Sequence, residues 1–143
     1  MQAITSDLDL PICQTCGAQF DSLPSVCDVC LDERQWVPVG GSIWTSLRLL
    51  KESGRKIVFR DDKEDENMVW LVTEPGLAIQ QSPLLAKTPS GWVLIECCPY
   101  VDEDAIVEIQ RRVRESGLPL LGIALSHPHW SILLALAFSR VVG

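Results

Sequence analysis

Two C-x-x-C pairs, Cys13 with Cys16 and Cys27 with Cys30, are separated by ten residues near the start of the chain and constrain its folding more than any other feature. A two-residue gap lets both thiolates of a pair turn onto one ion, and two such pairs complete the tetrahedral shell that zinc takes. Gly17, directly after the second cysteine, permits the tight turn through which backbone amides approach the sulfurs. The same cysteines could instead form two disulfides or a redox pair. No thioredoxin-like strand and helix surrounds them and no export signal accompanies them, so a structural zinc ion is the expectation. A closed four-sulfur shell offers no open coordination position, and its role is to hold shape. Phe20, Leu23 and Val26, in the spacer, are expected to pack around the ion.

The rest of the composition narrows the class. With 143 residues the chain has room for one domain, or for a small module plus a partial one, and 47% apolar residues suffice for a packed core. The net charge of -7 disfavours nucleic acid as a partner, because attraction to phosphate backbones is driven by cations. The start of the chain lacks the basic and apolar stretches of a signal peptide. The apolar stretch from Ile132 to Phe138 is far shorter than the about 20 residues that cross a bilayer. A cytoplasmic protein with no membrane segment is expected.

Residues 1–10 read as a leader and residues 1–39 as a zinc-ribbon-like head, with Gly40 and Gly41 marking a turn or linker into a second unit over 40–143. The spacing of Trp44, Leu47 and Leu50 predicts a helix from Trp44 to Lys51, with Ser42 as a cap and Gly54 as a stop. Strands are predicted over Lys56–Phe59, Met68–Thr73 and Leu77–Gln80, and a hairpin over Leu84–Thr88 and Trp92–Ile95. The charged run from Arg60 to Asn67 invites a calcium reading but lacks EF-hand spacing, so a solvated hairpin loop is expected. The tryptophans are expected to anchor cores or interfaces rather than to form ligand platforms.

The last third is built as strand, helix, strand. Trp92 to Ile95 is continuously apolar and ends at Glu96. Asp102, Glu103 and Asp104 then place negative charge at a helix start, and Arg111, Arg112 and Arg114 place positive charge in its last turns before Gly117. Leu118 to Leu125 supplies the second strand, and this order predicts a right-handed crossover between parallel neighbours. His127 and His129 follow, where ligands collect at the carboxyl ends of α/β strands. One-residue spacing points two imidazoles to opposite faces of a regular strand, so joint ligation needs the irregular backbone that Pro128 supplies. The alternative is a proline-rich turn that merely exposes two histidines. The adjacent Cys97 and Cys98 are strained as a bridge, and burial as small apolar side chains is the plainer expectation.

The stretch "LLAKTPSGWVLIECCPYVDEDAIVEIQ…GLPLLGIALSHPHW" resembles the N-terminal half of metallo-β-lactamase-fold proteins, in a subgroup with a cysteine-rich head and an SHPHY-like loop. The likeness runs over roughly residues 76–140. It implies an α/β (α+β) fold, a partial metallo-β-lactamase-like layered sandwich behind the small head. Glu96 matches the acidic residue that ends the first strand, with Glu in place of the usual Asp, and would support the site by orienting a ligand or the loop. Cys97 matches a cysteine of the subgroup. His127 and His129 match the first two ligands of an H-x-H-x-D-H loop that holds a metal pair, and would form a partial second site. Ser131 and Ile132 stand where the loop's Asp and last His are expected. The resemblance implies a further half that carries the remaining ligands, so the chain reads as a truncated or degenerate relative of metal-dependent hydrolases, weakly active or inactive. The alternative is a zinc-dependent interaction module with no catalysis, in which a protein partner completes the unfinished sheet.

Overall fold

The computed structural model describes residues 8–34, 36–96 and 98–125. The strand, helix, strand unit forms as expected: β6 (Gly91–Ile95), α2 (Glu103–Ser116) and β7 (Leu120–Ala124), with the two strands paired in parallel. Asp102 caps α2 by accepting a hydrogen bond from the Ala105 amide at 2.7 Å, and Gly117 ends it in the left-handed conformation at φ 68°. Upstream, β3 (Lys56–Asp61), β4 (Met68–Glu74) and β5 (Leu84–Thr88) run antiparallel in succession into β6. The result is a five-stranded α+β sheet in sequence order, β3-β4-β5-β6-β7.

Strand alternation divides this sheet into two apolar faces. Val69, Leu71, Leu85, Trp92 and Leu94 point to the side where Ile109 of α2 packs, and they form the main core together with Cys98. The helix is tied to this face at both β6 and β3. The Trp92 indole donates to Ser116 Oγ at 2.8 Å, and Arg112 lies over the Phe59 ring while bonding Asp61 at 3.0 Å. On the other face stand Val58, Val72, Leu84, Ala86, Val93 and Ile95, all half-buried. Among the described residues no buried cluster forms on that side.

Two predicted elements come out differently. Trp44 does not begin a helix: with Thr45 it makes a short strand, β2 (Trp44–Thr45), antiparallel to β1 (Ile12–Cys13). Helix α1 (Leu47–Glu52) starts after it, where extended Ser46 accepts from the Leu49 amide, so Ser46 and not Ser42 is the cap. Pairing with the first cysteine strand overrides the helical spacing of Trp44, and the head draws on residues from both sides of Gly40 and Gly41. Leu77–Gln80 is not a strand but a turn, with Ala78 and Gln80 at φ 52° and 57°. Neither left-handed residue can continue an extended chain. Leu77 is instead buried with Ile12, Leu47, Leu50 and Tyr100 in a second core between the head and the sheet.

The acidic run closes the β3–β4 hairpin. Asp62 accepts from the Glu64 and Asp65 amides and from the Trp70 indole at 2.8 Å, so its carboxylate serves the turn. Among the described residues, no helix is long and apolar enough to cross a membrane.

A candidate four-thiolate metal centre

Each C-x-x-C pair sits in a tight backbone turn. After β1, the Gly17 amide donates to the Cys13 carbonyl at 2.8 Å and the Cys13 amide to the Ala18 carbonyl at 2.9 Å, with Gly17 at φ 82°. That conformation strains any side chain, which is why glycine follows Cys16. The second pair closes on a single 3₁₀ turn, Asp28–Leu31, in which the Cys30 amide donates to the Cys27 carbonyl at 3.0 Å. Ser42 Oγ accepts from the Cys27 amide at 3.3 Å.

These turns bring the four Sγ atoms of Cys13, Cys16, Cys27 and Cys30 within 4.8 Å of one another. Two pairs run between the knuckles, Cys13 to Cys30 at 3.8 Å and Cys16 to Cys27 at 3.6 Å. A disulfide would hold its sulfurs about 2.05 Å apart, and all four thiols are free. Sulfurs about 2.3 Å from a central zinc lie about 3.8 Å from each other at tetrahedral angles. The spacing therefore fits one metal ion shared by four thiolates.

The electrostatics of the cluster fit as well. Burial pushes the Cys16 thiol well above the ordinary thiol range and the Cys30 thiol up to about 12. Burial also opposes ionisation of Cys13, yet amide hydrogen bonds from Cys16 and Thr15, together with the Cys27 and Cys30 thiols, outweigh it and hold that thiol low. Without a cation the pocket favours ionisation of Cys13 and keeps the Cys16 and Cys30 thiols protonated. A divalent ion supplies the missing positive charge and displaces those protons.

The covering side chains differ in part from expectation. Phe20 packs on the cluster, but Leu23 is 66% exposed and Val26 is exposed too. Their place is taken by Val29, Val37 and Trp44, whose ring meets Phe20 edge-on with centroids 5.5 Å apart. Trp44 reaches the cluster only because β2 pairs with β1, a non-local relationship that spacing along the chain does not display.

Glu96 lies outside this cluster, at the end of β6 and at φ 72°. Its amide donates to the Ala124 carbonyl at 2.8 Å, and its carboxylate accepts from Gln81 Nε2 at 2.9 Å. Cys98 is buried and donates to the Tyr100 carbonyl at 2.7 Å, as a small core side chain would. Cys97, His127 and His129 lie outside the described residues, as do Trp130 and the apolar stretch from Ile132 to Phe138.

No family model matches the chain, and no solved structure matches it. The chain is 37% identical over 123 residues to "Uncharacterized protein YmaE" of Bacillus subtilis (strain 168), a match that takes in 83% of the chain and 42% of that relative. The chain thus spans less than half the length of the relative it matches.

Proposed function

We infer that the chain holds one structural zinc ion in a ribbon-like head and carries, over residues 40–143, a layer related to the N-terminal half of metallo-β-lactamase-fold hydrolases. The observation that carries the first part is the set of four free thiols within 4.8 Å, with edges of 3.6 and 3.8 Å. Tetrahedral four-sulfur shells suit zinc or iron, and paired knuckles of this spacing suit structural zinc. Cobalt(II) added to the metal-free, reduced chain is expected to give the spectrum of a tetrahedral thiolate complex that saturates at one equivalent and is displaced by zinc. Iron bound in the chain as purified, or saturation with fewer than four thiolates, contradicts this.

The second part is supported by the parallel β6 and β7 around α2, with Glu96 at the end of β6 and His127 and His129 shortly after β7 in sequence. A second ion bound there would supply a metal-activated water. Two histidines and Glu96 fall short of the ligand set that the resemblance implies, so this chain is proposed to be weakly active or inactive. Efficient turnover of a lactam or ester that disappears in His127→Ala would contradict it.

A zinc-dependent interaction module is the second reading. It is favoured by the sheet face of Val58, Val72, Leu84, Ala86, Val93 and Ile95, which a protein partner could cover. Metal stoichiometry separates the two. A second ion lost on His127→Ala favours the hydrolase-derived site, and a single ion unaffected by that change favours the module.

A further inference from the structure

The first cysteine knuckle touches the rest of the molecule on both sides, and at both places it meets the same two loops. Ile12, just before Cys13, is fully buried against Leu77 and Tyr100. Gly17, just after Cys16, is pressed so closely that a Cβ on it would lie 2.7 Å from Pro99 Cβ and 3.5 Å from Ala78 Cβ. Leu77 and Ala78 belong to the loop between β4 and β5, while Pro99 and Tyr100 belong to the loop between β6 and α2. Those loops meet each other at one further point, where Gln81 donates to the Glu96 carboxylate at 2.9 Å. Glu96 and Ala78 are both held in left-handed conformations that non-glycine residues adopt only when their surroundings impose them.

We propose that the metal-loaded knuckle is a brace for the carboxyl end of β6: by fixing Ile12 and Gly17, the ion holds residues 75–83 and 98–101 and through them the position of the Glu96 carboxylate. The proposal rests on the four-thiolate centre binding a metal. It adds that the head acts on a distant part of the sheet and is more than an appended module. Two features make the coupling direct. The Gly17 amide is bonded to the Cys13 carbonyl, so the contact with Pro99 is part of the turn that presents the sulfurs. Tyr100 is almost wholly buried in the core that Ile12 completes, so loosening β1 unpacks it.

The test compares the full chain in its zinc-loaded and chelated, reduced forms, with metal content measured for each. Hydrogen exchange is followed by mass spectrometry over residues 77–81 and 98–101, with the β3–β4 hairpin as an internal reference. Alkylation of buried Cys98, located by fragmentation of its peptide, gives a second readout. The expected result of removing zinc is exchange roughly tenfold or more faster in both loops, with Cys98 newly reactive and the hairpin unchanged. Gly17→Ala, which keeps all four thiols, is expected to bind one zinc yet show the faster loop exchange. A chain that binds one zinc but exchanges its loops equally with and without it overturns the brace alone. Loss of protection to the same extent in the hairpin also overturns it, because the whole chain would then have unfolded. A chain that takes up no zinc overturns the centre, and the brace with it.

Discussion

Gly17 and Pro99 meet at a distance that leaves no room for a side chain, so the turn that follows the second cysteine ligand is also the contact between the head and the loop leaving β6. Gly17→Ala puts a methyl group into Pro99 and forces a left-handed φ of 82° on a residue that resists it. The zinc-loaded protein is expected to lose about 2 to 4 kcal/mol of stability, the sum of a strained φ and an overpacked contact. Urea denaturation followed by tryptophan fluorescence measures this, and a loss within the usual scatter of surface substitutions would contradict the contact.

The sheet makes a sharper distinction between neighbours. Leu85 is fully buried against α2's side of the sheet, whereas adjacent Leu84 faces the other side and is half-buried. Leu85→Ala is expected to cost about 2 to 5 kcal/mol and Leu84→Ala about 1 kcal/mol in the isolated chain. Equal costs by thermal or denaturant unfolding would mean that both faces are covered alike.

Trp44 is expected to matter to the metal as much as to the fold. Its edge-on contact with Phe20 shields the sulfurs, and Trp44→Ala should remove about 2 kcal/mol of stability from the loaded chain and speed zinc transfer to a chelating dye. An unchanged transfer rate would show that the ring does not guard the centre.

The alkaline limit follows from Tyr100. Burial pushes its hydroxyl up to about 12, with the carboxylates of Asp102 and Asp104 acting in the same direction. An unfolded tyrosine ionises near its ordinary value of about 10. The contribution is therefore whole below about pH 10 and is lost as pH rises towards 12, on the order of 2 kcal/mol in all. Tyr100→Phe cannot ionise, and its stability is expected to fall less steeply than the parent's across that window. Parallel curves from denaturation at stepped pH would contradict the burial of this group.

What was legible in the sequence was local. The helix from Glu103 to Ser116 announced itself through the acids at its start, the arginines near its end and Gly117, and the parallel β6–β7 pair followed from the length of that crossover. The four cysteines were legible because the ligand spacing of a knuckle lies within a single turn. What escaped were relationships between distant segments. Trp44 carries helical spacing towards Leu47, and nothing near it reveals that β1 claims it as a strand partner. Leu77 alternates like a strand residue, but burial beside Ile12 and Tyr100 bends its neighbours into left-handed turns. Leu23 and Val26 have the composition of packing residues in the spacer, yet the cysteine turns face inward and leave them outside.

Everything assigned to the head depends on four sulfurs sharing one ion, and native mass spectrometry of the full chain, purified under reducing conditions with zinc supplied, reads that directly. The expected spectrum shows a zinc bound with displacement of the cysteine protons, and that zinc is lost when Cys13 and Cys30 are both replaced by serine. A chain that stays metal-free with all four thiols reduced, or whose zinc content is unchanged by the double replacement, would contradict the four-thiolate centre.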